Sequence, residues 1–397
     1  MEIVFIGGPL HDEAINDIRQ NTKGAIWYSA DIFQKKLLKG LEKSNVKHYI
    51  FSAPLIGAYP MGYRKIQFKA PVINKNNVYC VSFFNLWGVR NLSRAYQLKR
   101  AIREKLLVNK SKSYLIIVYC AHQPYLEAAR YLKENTNSSK ICFYVPDLPQ
   151  YMNLFKHSII YDVAKKIDIR KINNLMKNVD SFVILTEYMK DALKIAERPY
   201  FVAEGIVESV PEIVCVNEIN KKKNINIVYA GGLQTAFGIR NFIDSFVKNR
   251  DTRLRLTICG AGDEEEYIIK MTEVDGRIKY LGQLLPSEVS MILAEADILI
   301  NTRTNESEYT KYSFPSKNIE YLLTGKRVVA CMLDGMPNCY REYIYEIVNG
   351  DYMSAIYNAV NFTEHDKKIK LFQKYAKKNL CAEQIIRKIV EQCEDKG

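Results

Sequence analysis

The chain has 397 residues, 48% of them hydrophobic and 25% charged, and a formal net charge of +13. That length is too great for one ordinary core and fits about two domains, while the composition excludes disordered and fibrous classes. The positive field suits phosphate-bearing partners, whether nucleotides, anionic lipids or nucleic acid, without choosing among them.

The first strand-like run, Glu2–Gly7, begins at once and lacks the basic n-region and cleavage site of a secretory signal, so the expected location is the cytoplasm. Short β-branched and aromatic runs recur at 47–51, 78–83, 114–119, 141–145 and 182–185, with helical patterns between them. Such alternation predicts parallel sheets covered on both faces, the doubly wound α/β class. The pattern loosens after about Lys194, and the basic stretch around Lys221, Lys222 and Lys223 is the best linker candidate. A second series follows at 225–230, 254–259, 278–281, 298–300 and 327–330, and residues 364–394 read as two closing helices. The expected division is a first Rossmann-like domain over 1–205, a linker over 206–224, a second Rossmann-like domain over 225–375, and a closing helix over 376–397 packed back on the first domain. Two such domains are expected to face a central cleft, with ligands beyond the carboxyl ends of the strands.

No apolar run approaches the roughly 20 residues of a membrane span. Nine cysteines, at 80, 120, 142, 215, 259, 331, 339, 381 and 393, never form C-x-x-C, so neither a zinc site nor a disulfide framework is expected.

From Arg90 to Lys112 the chain carries Arg90, Arg94, Lys99, Arg100, Arg103, Lys105, Lys110 and Lys112 against the single acid Glu104. Val89, Leu92, Tyr96, Ile102 and Leu106 fall near helical spacing among them, predicting a basic amphipathic helix suited to an anionic membrane or to the edge of the core. The aromatic, basic loop 53–69 could join it on a membrane surface.

Several post-strand positions are candidates for chemistry. Gly7 and Gly8 fit a tight turn after strand one, His122 closes the strand 114–119, and Asp147 stands on a stiff turn between Pro146 and Pro149. In the second half, Gly231 and Gly232 permit close backbone approach to a phosphate, and Arg240 follows in the same segment. Gly260 and Gly262 lack the third glycine of a dinucleotide fingerprint, and the acids at 263–266 stand where a pyrophosphate would sit, excluding a dehydrogenase. Ser313 can cap a helix starting near Pro315, with Gly325 ending it. The amides near Ser316, the Lys317 ammonium and Glu320 could then hold a diphosphate and a ribose, or they could belong to an ordinary surface helix.

The run Phe314-Pro-Ser-Lys-x-x-Glu320-Tyr-Leu-x-x-Gly325-Lys-x-Val-Val-Ala330 resembles the donor signature of family 4 glycosyltransferases of GT-B fold, of the bacterial capsule and exopolysaccharide type. Tyr229-Ala-Gly-Gly-Leu233, Ile258-Cys-Gly-Ala-Gly262, Tyr280-Leu-Gly282 and Ala294-Glu-Ala-Asp297 extend the resemblance almost continuously from 225 to 331. It implies a retaining, metal-independent, hexosyltransferase-like enzyme with no cofactor. The implied donor is a UDP- or GDP-linked sugar and the acceptor a saccharide or a polyprenyl-diphosphate-linked sugar held by the first domain. By the same resemblance His122, Lys317 and Glu320 are catalytic, and Gly8, Gly231, Gly232, Arg240, Gly260, Gly262, Gly282, Pro315 and Ser316 bind the donor together with Lys317 and Glu320. Gly7 and Asp147 would bind the acceptor. Glu204-Gly205 would mark the crossing between domains. The pattern departs from the family at Tyr312, where an acid is usual, leaving Glu306 or Glu308 as substitutes.

Taken with the basic helix, these readings predict a peripheral enzyme at the inner face of the membrane, glycosylating a lipid-linked acceptor in cell-surface polysaccharide synthesis. The alternatives are a GT-B-fold epimerase or phosphorylase and a binding subunit with decayed chemistry. A nucleic-acid binder ranks last for want of any reader motif.

Overall fold

A computed structural model describes residues 1–23, 28–108, 111–150, 159–213, 218–306 and 308–394, the side chains of 159–162 excepted. Of the positions singled out above, Lys110, Cys215 and the linker residues 214–217 lie outside the described residues.

In chain order the first elements are β1 (Glu2–Gly7), α1 (Asp12–Asn21), α2 (Tyr28–Lys43), β2 (His48–Ser52), β3 (Gln67–Phe68), β4 (Val78–Cys80) and β5 (Phe83–Phe84). They continue through α3 (Arg90–Leu106), β6 (Tyr114–Tyr119), α4 (Gln123–Glu134), β7 (Lys140–Val145), α5 (Ile159–Leu175), β8 (Ser181–Ile184), α6 (Met189–Ala192) and β9 (Tyr200–Val202). The second series is β10 (Ile225–Ala230), α7 (Ile239–Lys248), β11 (Leu254–Cys259), α8 (Glu265–Val274), β12 (Ile278–Tyr280), α9 (Pro286–Glu295), β13 (Ile298–Asn301), α10 (Ser316–Leu322), β14 (Arg327–Ala330) and β15 (Tyr345–Glu346). Helices α11 (Tyr352–Asn361), α12 (His365–Asn379) and α13 (Ala382–Glu394) close the chain.

The chain forms two compact units, one of Met1–Glu208 with Leu380–Gly397, the other of Ser209–Asn379. In the first unit seven parallel strands run in the order β4-β2-β1-β6-β7-β8-β9. Every residue of β6 is buried, as a central parallel strand with both faces covered requires. The predicted strand 78–83 is interrupted at Val81 and Ser82; its last residue opens β5, which pairs antiparallel with β3 away from the main sheet. Helix α13 packs on α2, β7 and β8 of this unit. The approach of α2 is so close that a Cβ on Gly40 would stand 2.7 Å from the Ala382 backbone. The Val207 N–H donates to the Leu380 carbonyl at 2.8 Å, and the Ala382 N–H to the Val207 carbonyl at 2.9 Å. The outgoing and returning chain segments are thereby tied side by side, next to buried Glu204.

The second unit carries six parallel strands in the order β12-β11-β10-β13-β14-β15. Its core joins Ile225, Ile227 and Tyr229 of β10 to Leu256 and Ile258 of β11 and to the inward face of α7, Phe242, Ile243 and Phe246. Each such fully buried aliphatic or aromatic side chain stabilises by roughly 1.5–3 kcal/mol. Asp297, in the run that carries the family resemblance, is a structural residue. Its carboxylate accepts from Lys222 Nζ at 2.5 Å and from the Asn226 N–H at 2.9 Å, holding the start of β13 to β10.

Among the described residues no helix is long and apolar enough to cross a membrane. The basic helix α3 divides its apolar residues. Ala95, Leu98, Ile102 and Leu106 enter the core, while Val89, Leu92 and Tyr96 are exposed, as are Phe84 and Trp87 just before the helix. Lys99 and Arg100 are committed to Glu127 and Glu104.

Candidate functional site

In the second unit β11 and β12 lie on one side of β10, and β13, β14 and β15 on the other. The loops after β10 and β13 therefore diverge from adjacent carboxyl ends, the switch point at which doubly wound sheets take ligands. A cavity of about 180 Å³ opens there. Five of the predicted donor residues line it, Gly231, Gly232, Pro315, Ser316 and Lys317, together with Asn301 and Arg303. Its described lining includes two cationic side chains and no carboxylate.

Local structure explains how these residues meet. The Tyr321 hydroxyl donates to the Ala230 carbonyl at 2.9 Å and accepts from the Ala230 N–H at 3.0 Å, pinning α10 to the end of β10. Asn301 Nδ2 donates to Oδ1 of the fully buried Asn318 at 2.7 Å, which fixes the mouth of β13. Helix α10 begins after Pro315 without a side-chain cap. Ser313, read above as the cap, instead accepts from Arg303 Nη2 at 3.0 Å. With only seven residues α10 has a small macrodipole, so side-chain cations supply most of the positive potential. Lys317 lines the cavity, and its Nζ pairs with Glu320 at 2.7 Å. Glu320, outside the lining, is half exposed; Glu306 and Glu308 are exposed and likewise outside it.

Arg303 was passed over in the sequence. The available signal was its place two residues past the strand β13, on the loop at that strand's carboxyl end. Its guanidinium donates to the Tyr309 hydroxyl as well as to Ser313, and stands over the rings of Tyr309 and Phe237 at 5.0 and 5.7 Å. Burial holds its proton affinity below the usual arginine range.

The remaining donor candidates fall elsewhere. Arg240 is not brought to the cavity. Its Nη2 and Nε donate to the buried Glu264 carboxylate at 2.6 and 3.1 Å, and the guanidinium lies 4.0 Å from the Tyr267 ring centre. Gly260, Gly262 and Gly282 do not line the cavity either. A Cβ on Gly260 would stand 1.8 Å from the Gly231 carbonyl oxygen, and one on Gly262 2.3 Å from Leu233. These glycines let the β11 loop press on the β10 loop, and the Gly260 N–H continues the chain of contacts to the Gly282 carbonyl at 2.9 Å.

In the first unit the switch point lies between β1 and β6. Gly7 ends β1 and Gly8 follows it, and the Gly8 N–H donates to Gln34 Oε1 at 2.8 Å, so that amide is already engaged. His122 follows β6 and lines a cavity of about 320 Å³ with Trp87, Arg90, Asp168 and Lys171. Cys120, two residues earlier, has φ +63, a strained conformation for a side chain and one found at sites where geometry is over-determined. His122 Nε2 lies 3.3 Å from Arg94 Nη1. A guanidinium only donates, so Nε2 is the lone-pair nitrogen and Nδ1 carries the hydrogen. Burial, with the charges of Arg94 and Arg90, holds the ring well below its usual range and keeps it neutral. Asp147 follows β7 outside this cavity; desolvation pushes its carboxyl up to about 6, while its exposed edge limits the effect. Among the described residues no cluster of three His, Cys, Asp or Glu is placed to hold a metal.

Residues 224–365 match the family model described as glycosyl transferases group 1. No curated protein sequence matches the chain. Among solved structures, the lipopolysaccharide outer core galactosyltransferase WaaB aligns over 99% of both chains at TM-score 0.61 and 13% identity. The sucrose-phosphate synthase of Thermosynechococcus elongatus aligns over 100% of both at TM-score 0.61 and 10% identity. HepE of Anabaena, solved in complex with UDP, aligns over 100% of both at TM-score 0.57 and 13% identity. Likeness at such identities speaks to the fold, and the family model to the sequence of the second unit. Residues 224–365 thus carry the pattern of the group 1 glycosyl transferases, within a chain whose two α/β units have the GT-B glycosyltransferase fold.

Proposed function

We propose that this protein is a retaining glycosyltransferase that moves a hexose from a nucleotide-diphosphate sugar to a saccharide acceptor, without a metal or other cofactor. The observation that carries the reading is the cavity at the β10–β13 switch point, lined by two cations and glycine backbone, with no carboxylate among its described lining. Such a lining favours a polyanion over a neutral sugar, and a diphosphate-linked sugar is the donor that the sequence resemblance implies. In the transfer, the bond from the anomeric carbon to the diphosphate oxygen breaks and leaves its electron pair on that oxygen. A bond forms to the acceptor hydroxyl oxygen, whose proton passes to the departing phosphate. Fixed cations beside the diphosphate stabilise the charge it gains.

The acceptor is assigned to the first unit, around His122, whose neutral ring offers Nδ1–H as a donor. A lipid-linked acceptor at the inner membrane face is supported by the exposed Phe84, Trp87, Val89, Leu92 and Tyr96 beside the cations of α3. Apolar side chains gathered beside cations suit an anionic bilayer surface. UDP-glucose is the first donor to test, because HepE has been solved with UDP-glucose. The experiment is product analysis with UDP- and GDP-sugars and a polyprenyl-diphosphate sugar acceptor, scoring transfer, the anomeric configuration and dependence on chelators. Epimerised sugar or sugar phosphate as the only product would overturn transfer, and activity lost to EDTA would overturn metal independence. Sedimentation with liposomes should rise with anionic lipid content; indifference to that content would remove the membrane part.

A further inference from the structure

Among the arginines of the second unit, Arg303 differs from those held by carboxylates, and it differs from Arg255 and the buried Arg327, which donate to backbone carbonyls, in lining the switch-point cavity. Arg240, Arg253, Arg277 and Arg341 are each paired with a carboxylate, Glu264, Asp251, Asp275 and Glu346 respectively. Arg303, much of it buried, has hydroxyl oxygens and ring faces as its side-chain partners and no carboxylate among the described residues. Withdrawing a guanidinium from water without a counter-charge is costly, and two neutral hydroxyls recover only part of that cost. Lys317, the other cation of the cavity, already has Glu320 within 2.7 Å. The unbalanced charge at the switch point is therefore Arg303.

Its placement is built rather than incidental. Thr302, one residue earlier, donates from Oγ1 to the Phe237 carbonyl at 2.7 Å. Gly238, with φ +74, packs so tightly that a Cβ there would come within 2.7 Å of the Thr302 carbonyl oxygen. The β10 and β13 loops are locked together by these contacts, and Tyr309 and Ser313 hold the guanidinium from the other side. Its planar array of N–H donors matches two oxygens of a phosphate at once.

We propose that Arg303 is the principal ligand of the donor's diphosphate, with Lys317 secondary to it. The proposal rests on the donor-site reading above and refines it. It assigns the recognition of the second phosphate, and hence the preference for a nucleoside diphosphate over the monophosphate, to the loop after β13.

The test is calorimetric titration of the full chain with UDP, UMP, GDP and GMP, and displacement of the bound nucleotide by inorganic pyrophosphate. The native protein is expected to bind one diphosphate about tenfold or more tightly than its monophosphate. Arg303→Met should erase that advantage while leaving monophosphate affinity within about twofold, and should weaken pyrophosphate displacement by about tenfold. Arg303→Lys, which keeps the charge and loses the fork, should restore part of the advantage; it also stands in if the methionine variant does not fold. If the native protein binds neither diphosphate nor monophosphate, the donor-site reading itself fails. If it binds a diphosphate and both Arg303 variants keep the native ratio, the donor site stands and this assignment is overturned.

Discussion

Each unit places a pair of glycines at the end of its first strand, and the two turns end in different states. After β1, the Gly8 amide is satisfied by Gln34, and a Cβ on Gly8 would meet the Tyr125 hydroxyl at 2.3 Å and the Ala53 carbonyl oxygen at 2.9 Å. After β10, a Cβ on Gly231 would find nothing nearer than the Tyr229 hydroxyl at 3.5 Å, and the turn lines a cavity. The first turn is filled by its own fold; in the second only Gly231 faces open space, its N–H donating to the Cys259 carbonyl at 3.1 Å, whereas a Cβ on Gly232 would meet Gln234 Oε1 at 2.2 Å. The same dipeptide therefore reports a sharp strand-to-helix turn in both places, and neighbours from distant sequence decide whether a ligand can reach it.

Two histidines repeat the contrast. His365 is closed: its Nδ1 accepts from the Tyr345 hydroxyl at 3.1 Å, and its Nε2–H donates to the Gly325 carbonyl at 3.2 Å. His122 has one nitrogen engaged, by Arg94, and it lines a cavity. Both are held neutral, by burial first and by neighbouring arginines second.

The largest effect that would break the comparison concerns the glycines. Gly8→Ala is expected to lose about 3 kcal/mol in urea unfolding, because backbone as well as a side chain blocks the new methyl. Gly231→Ala should stay within about 0.5 kcal/mol of the native stability. It should instead raise KM for the donor several-fold, since its methyl enters the cavity. Equal stability losses in the two variants would end the distinction between a filled and an open turn.

Acid unfolding tests the closed histidine. His365 is pushed down to about 4 from an ordinary value of 6.5. Above pH 6.5 both folded and unfolded states carry a neutral ring. Between 6.5 and about 4 only the unfolded chain takes the proton, so stability is complete above 6.5 and is lost as the pH falls. The span corresponds to at most about 3 kcal/mol. Urea melts at pH 7.5 and 4.5 should show a smaller difference for His365→Gln than for the native chain.

The exposed pair Lys317 and Glu320 separates stability from function. Their ion pair should be worth less than about 1 kcal/mol to folding, so Lys317→Met should leave the melting temperature nearly unchanged. It should still lower kcat/KM by about tenfold or more, as expected on removing a positive charge beside a departing diphosphate. Normal turnover in both Lys317→Met and Glu320→Gln would remove these residues from the site.

The smallest effect is a shift in pH dependence. With Arg94 in place His122 stays neutral through the physiological range. Arg94→Met removes one of the charges that disfavour the imidazolium, so the acid limb of the activity profile should move upward by up to about one pH unit. An unmoved limb would mean that His122 lies outside the reacting chemistry.

Much of this was legible in the chain itself. Largely apolar runs of three to six residues announced β1, β6, β7, β10, β11, β13 and β14, because a strand buried on both faces is apolar at most successive positions. The signature from Phe314 to Ala330 likewise placed Pro315, Ser316 and Lys317 at the start of one helix, since those positions follow from local spacing alone. Short edge elements were harder to read. The two-residue strand β15, at Tyr345–Glu346, exists only because β14 offers it a partner, and β5 forms only against β3.

Side-chain partnership was the part that tertiary structure alone decided. Arg240 and Arg303 both stand in segments that follow a strand, and nothing local tells them apart. Glu264, 24 residues from Arg240, neutralises the first, whereas the second is met by hydroxyls and rings. Whether a charge meets a counter-charge inside the fold depends on which loops the sheet order places side by side.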